Sequence, residues 1–109
     1  MPKPDSLQGS LDLLVLKILS RRPRLHGYAI MAAIKDCSGE VLHAEEGSLY
    51  PALHRMEQRG WIKSAWALTE SGRKAKYYRL TAFGRKELEA AEKSFDQLVK
   101  GVRAVMRYA

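Results

Sequence analysis

Apolar residues recur along this chain at two different periods. Leu11, Leu14, Val15, Ile18 and Leu19 fall at i, i+3, i+4, i+7 and i+8, the spacing of one helix face. The pattern predicts a helix from residue 7 or 10 to residue 21, ended by Pro23. Leu13 and Leu16 give this helix a second apolar side, and a helix apolar on two sides needs two covers. A second helix is predicted from residue 26 or 27 to residue 37, with Ile30, Ala33, Ile34 and Cys37 facing inward and Ser38-Gly39 as its C-cap. Residues 40–46 read as a connection, and residues 48–59 as a third helix closed by Gly60. The period then changes to that of a strand. Residues 61–68 are rich in β-formers, with Ile62, Trp66 and Leu68 on one parity; residues 69–74 are turn chemistry, and residues 76–81 make a second strand. Residues 83–107 form one long helical pattern.

The element order is helix, helix, helix, strand, basic turn, strand, helix. The fold class expected is mainly α with a β-hairpin: a winged helix-turn-helix domain followed by a long C-terminal dimerisation helix. In that arrangement the third helix enters the DNA major groove and the hairpin lies along the neighbouring backbone. Residues 1–6 are polar and proline-bearing, an expected mobile arm. Residues 7–82 are assigned to the winged domain and residues 83–109 to the last helix.

The start of the third helix is unusual in containing Gly47, Ser48, Tyr50 and Pro51. On a helical wheel Leu49, Ala52, Leu53 and Met56 share the face that must be buried. Pro51 is tolerated in a first turn because its missing N–H would be unpaired there. The expectation is a rigid, bare helix end with free N–H groups, presenting Ser48 and Tyr50 and, further along, His54 and Arg55. Such an end suits phosphate and base-edge contact.

Composition points the same way. The chain has 109 residues, 46% hydrophobic, with a formal net charge of +7. This is one domain with a modest core, and the surplus of bases favours a polyanionic partner. Arg73, Lys74, Lys76 and Arg79 fall within one acid-free stretch at the hairpin turn and its edge, where a wing meets the sugar-phosphate backbone. The lone Cys37 excludes an internal disulfide and fits a reducing, cytoplasmic setting. Its place on the inner face of the second helix predicts a packed, inert thiol. No signal peptide and no membrane span are expected. His26, His43 and His54 lack ligand spacing, so no metal is expected, and no cofactor. No nucleophile, base and orienting group fall together, so an enzyme is disfavoured. Trp61 and Trp66 read as core anchors of the hairpin. The rival from another class is a winged helix used as a protein-interaction module without DNA activity; four bases at the wing argue against it.

The last helix carries its own signal. Leu88, Ala91, Phe95, Leu98, Val102 and Val105 alternate steps of three and four, an a/d heptad seam. At 1.5 Å per residue the helix spans roughly 37 Å, longer than the winged domain can cover. A homodimer is expected, with the two-sided first helix supplying the other wall.

Three segments carry a family resemblance: "LDLLVLKILSRRPRLHGYAI", "EEGSLYPALHRMEQRGWI" and "RKAKYYRLTAFGR". Together they resemble the PadR family of bacterial transcriptional regulators over nearly the whole chain, in its compact branch with a single C-terminal helix. The resemblance implies a homodimeric winged-helix repressor on an inverted repeat of double-stranded DNA near a promoter. It implies DNA contacts from Ser48, Tyr50 and Pro51, from Tyr28 in "HGYAI", and from Arg73, Lys74 and Lys76 in the wing. In some members a small aromatic or cationic molecule binds between the protomers and releases DNA. An effector at the dimer interface is therefore an implied partner, although Phe95 is the one distinctive aromatic among the core positions of the last helix here.

Overall fold

The computed structural model describes residues 3–109, with side chains from Ser10 onward. Its elements are α1 (Lys3–Arg21), β1 (Leu25–His26), α2 (Gly27–Cys37), α3 (Glu46–Gln58), β2 (Ile62–Leu68), β3 (Lys74–Leu80) and α4 (Ala82–Tyr108). The expected order of three helices, a hairpin and a long helix is present, and the molecule is a winged helix-turn-helix. Helix α1 begins earlier than the hydrophobic pattern implied, because that pattern reports burial and not helicity. Pro4 lies in its first turn, where a missing N–H costs nothing. Of the expected arm at residues 1–6, the first two lie outside the described residues.

Helix α1 is the centre of the fold. It packs on α2, α3, β3 and α4. Leu11, Val15, Leu16 and Leu19 from α1 meet Ile30 and Ile34 from α2, Leu49, Leu53 and Met56 from α3, and Ile62 from β2. Leu16 is buried and Leu13 partly so, so both apolar sides of α1 are at least partly covered. The face expected for α3 is the face observed: Leu49, Ala52, Leu53 and Met56 are all 0–1% exposed. Gly60, at φ 78°, ends α3. Its N–H donates to the Glu57 carbonyl and that of Trp61 to the Met56 carbonyl, the paired bonds of a Schellman motif.

The sheet has three strands in the order β1-β3-β2, all antiparallel. The register pairs Ile62 with Leu80 at the base of the hairpin and Leu68 with Lys74 near its tip. The two-residue strand β1 was not expected. It pairs Leu25 and His26 with Tyr78 and Tyr77, which moors the start of α2 to the wing.

Two expectations about burial are overturned. Cys37 is exposed, not packed. It is the last residue of α2, past the end of the core, and the Arg22 guanidinium approaches its Sγ at 3.9 Å. Trp66 is 64% exposed, because the hairpin overhangs the helices beyond Ser64; Trp61, at the base, does pack partly on the core.

The chain passes from β3 into α4 through one residue. Thr81 caps α4, its Oγ1 accepting from the Gly84 N–H at 2.9 Å. The same hydroxyl lies 2.6 Å from the Gly60 carbonyl, to which it donates, and the Thr81 N–H donates to the Trp61 carbonyl at 3.0 Å. Gly84 sits so close to this turn that an added Cβ would meet the Trp61 carbonyl and lie 2.8 Å from Leu80 Cδ1. The first turns of α4 then cross α1, where Lys17 and Glu92 pair at 3.2 Å. Leu88, expected in a seam between protomers, is buried in the protomer's own core instead, because this part of α4 lies on α1. Farther along, Phe95, Leu98, Val102, Val105 and Met106 are exposed, and α4 extends the molecule to 55 Å in its longest dimension.

Candidate nucleic-acid interface

The start of α2, the first turns of α3 and the wing enclose one cleft of about 550 Å³, lined by His26, Gly27, Tyr28, Tyr50, Trp66, Thr69, Ser71, Arg73, Lys74, Ala75, Lys76 and Tyr78. Five candidates from the sequence meet there: Tyr28, Tyr50, Arg73, Lys74 and Lys76. Ser48, Pro51, His54 and Arg55 lie outside it on α3. Arg55 is held by Asp12 of α1 at 3.3 Å, and Pro51 and His54 are exposed.

Each side is built locally. His26 caps α2, its Nδ1 accepting from the Ala29 N–H at 3.2 Å, and its ring meets Tyr77 edge-on, with centroids 5.2 Å apart. Gly27 is buried because the Tyr50 ring lies on it: an added Cβ would fall 2.7 Å from Tyr50 Cε1. Gly27→Ala is therefore expected to expel the Tyr50 ring and to cost about 1–3 kcal/mol of stability. Thermal melting and the chemical shifts of the Tyr50 ring would show both effects; an unchanged ring environment would refute the contact.

The wing tip is a closed loop. The Thr69 N–H donates to the Arg73 carbonyl at 2.7 Å and the Gly72 N–H to the Thr69 carbonyl at 2.9 Å, with Gly72 at φ 86°. Arg73 and Lys74 are exposed, and neither makes an ion pair among the described residues. Lys76 differs. It pairs with Glu57 of α3 at 3.5 Å and lies over the Tyr78 ring, so part of its charge is already used to hold the wing against α3.

The helix end itself departs from expectation. Helix α3 starts at Glu46 and not at Ser48, with Glu45 as an N-cap that makes no side-chain bond. The N–H groups of Ser48 and Leu49 both donate to the Glu45 carbonyl. Two carboxylates thus occupy the tip, which suits the positive end of the helix dipole and disfavours a phosphate there. Pro51 falls in the second turn, where it leaves the Gly47 carbonyl without a helical donor; Gly47 is exposed, so water can serve it. What α3 offers outward is the flank of its first two turns.

The phenols in the cleft are donors. The Glu46 carboxylate, as acceptor and as a charge, raises the pKa of Tyr28. Burial and then Glu46 raise that of Tyr50, and burial and then Glu57 that of Tyr78. All three keep their protons far above neutral pH.

Sequence reasoning missed His26, Gly27 and Trp66 as parts of this cleft. Trp66 shares a parity with Ile62, so it faces the helices; only the reach of the hairpin past α3 decides that it is open rather than packed. The transcriptional regulator PadR-like family matches residues 15–90, which hold the helices α2 and α3, the wing and the joint with α4. The chain belongs to this family. Among solved structures, a PadR family transcriptional regulator from Eggerthella lenta is 30% identical, with a TM-score of 0.81 over 96% of this chain and 88% of its own. A transcriptional regulator from Clostridium thermocellum is 28% identical, with a TM-score of 0.83 over 92% of this chain and 96% of its own. An uncharacterised protein of Lysinibacillus sphaericus is 28% identical over 98 residues, 90% of this chain and 89% of its own length. Among the described residues of this PadR-like chain no helix is long and apolar enough to cross a membrane, and no group of three His, Cys, Asp or Glu could hold a metal.

Proposed function

We propose that the protein is a cytoplasmic, homodimeric transcriptional repressor that occupies an inverted-repeat operator near a promoter and performs no chemistry of its own. The observation that carries this reading is the basic, aromatic cleft between α2, α3 and the wing. In it, Arg73 and Lys74 supply phosphate contacts without having to break an ion pair, and Lys76 a weaker one. Ser48, Tyr50, Pro51 and His54 on the outward flank of α3 enter the major groove, with the Tyr50 phenol as a hydrogen-bond donor and the Tyr28 phenol as one on leaving Glu46. Arg55 contributes only by leaving Asp12.

The dimer rests on the bare apolar stripe of α4. Ala91, Phe95, Leu98, Val102 and Val105 are the seam, Leu88 being used at home. Two protomers joined there place two wings and two recognition helices for successive major grooves, about 34 Å apart. The groove between α1 and α4, about 590 Å³ and lined in part by Leu13, Trp61, Phe95 and Leu98, is the room such a dimer leaves for a small-molecule effector.

Lys74→Ala tests the wing. Each protomer then has one fewer cation on the DNA phosphates, and the slope of log affinity against log salt is expected to fall by about two units for the dimer. Titrations of duplex DNA at several salt concentrations measure it. An unchanged slope removes Lys74 from the interface, and a wild-type protein that binds no duplex at any salt favours the protein-interaction reading instead.

A further inference from the structure

The hairpin overhang leaves the indole of Trp66 exposed and without a packing role in the core. Along β2 the residues of its parity change role in order. Ile62 is buried in the core, Ser64 donates to the Glu57 carboxylate of α3, and Trp66 comes next, opposite Lys76 in the register and 64% exposed. It therefore faces the recognition helix from a point where no side chain meets it closely enough to bury it. Across the cleft stand Tyr28, 63% exposed, and Tyr50, 40% exposed. Arg73 and Lys74 form the rim.

An apolar floor under a basic rim matches the chemistry of one deoxyribose–phosphate unit: an apolar sugar face joined to an anion. We propose that this cleft is a subsite for a single sugar-phosphate unit of the DNA backbone, with the Trp66 indole against the sugar and Arg73 and Lys74 on the phosphate. The inference rests on the DNA-binding reading above and deepens it. It adds an uncharged contact to a wing otherwise acting by charge. Charged and uncharged contacts differ measurably: neutralising phosphates releases counterions and sets the salt slope, whereas packing an indole on a sugar releases none.

Trp66→Ala tests this with a short random-sequence duplex, since a backbone contact needs no operator. The residue is exposed, so the variant should keep the wild-type melting temperature. Its affinity for the duplex is expected to fall roughly tenfold, within the range of aromatic stacking on nucleic acid, with the salt slope unchanged. Leu68→Ala is the control: Leu68 shares the parity and the exposure, at 67%, but does not line the cleft, and its removal should leave affinity as it was. Adding duplex to wild-type protein should also shift the tryptophan emission, and Trp66→Phe should abolish the shift. Wild-type affinity in Trp66→Ala, equal losses in both alanine variants, or an emission indifferent to bound duplex each overturns the subsite while the DNA reading stands. If the wild-type protein binds no duplex at all, the DNA reading falls, and the subsite with it.

Discussion

Leu98→Glu is expected to leave a folded protomer that neither dimerises nor holds operator DNA at micromolar concentration. Leu98 is 62% exposed in the protomer and lies midway along the bare stripe, between Phe95 and Val102. Glutamate is a good helix former, so α4 itself loses little. The core of the winged domain, from Leu11 to Leu88, does not include this position. In the proposed dimer the same carboxylate would be buried without a partner, a cost of about 3–5 kcal/mol. A two-fold interface repeats it on both protomers. Even one such penalty weakens association by roughly two to four orders of magnitude. Light scattering should report monomers, circular dichroism a native helix content, and a mobility-shift titration the loss of operator binding. A dimer of ordinary operator affinity would show that α4 does not join the protomers.

Gly84→Ala is expected to have the largest effect on stability. The Cβ would strike the Trp61 carbonyl, a backbone atom that is itself fixed by accepting from the Thr81 N–H. No rotamer change relieves it, so α4 must move off the hairpin base or the turn must open. Overpacking of this kind costs about 2–3 kcal/mol, which lowers the melting temperature by about 10–20 °C in a domain of this size. Gly101→Ala is the matched contrast. Its Cβ would meet nothing within 4 Å, and removing an exposed mid-helix glycine should stabilise by about 0.5–1 kcal/mol. Thermal melts of the two variants must move in opposite directions; a shared direction would mean that the contact at Gly84 is not rigid.

Where a pattern is set by local burial, the sequence was legible. The faces of α2 and α3 follow directly from apolar spacing, apart from Cys37, and the hairpin from its change of period. Helix α4 was recognisable because its stripe is longer than the domain. The misreadings share a cause: each depends on where one element ends relative to another. Cys37 continues the spacing of Ile30, Ala33 and Ile34, but α2 outruns the core by one turn. Leu88 fits the heptad as well as Leu98 does, yet only the first is buried in the protomer's own core. Trp66 has the parity of Ile62, yet α3 stops short of it. Strand β1, two residues long, carries no periodicity at all and exists only through its pairing with Tyr77 and Tyr78. The start of α3 lies earlier than its sequence suggests because Ser48 and Pro51 are start signals, whereas Glu46 is unremarkable in sequence and favoured by the dipole. Of the cleft, the basic and tyrosine components could be anticipated; its glycine floor at Gly27 could not, since nothing local announces that Tyr50 will lie there.

The single-residue joint at Thr81 turns the hairpin base and α4 into one lever. Three hydrogen bonds and the closeness of Gly84 remove the hinge that a longer linker would provide, so the two cannot change angle independently. A 27-residue helix is about 40 Å long. A tilt of ~5° at one end of such a rod displaces the other by about 3.5 Å, close to the rise of one base pair. In any assembly built through α4, the angle at which two copies cross therefore gauges the separation of their wings.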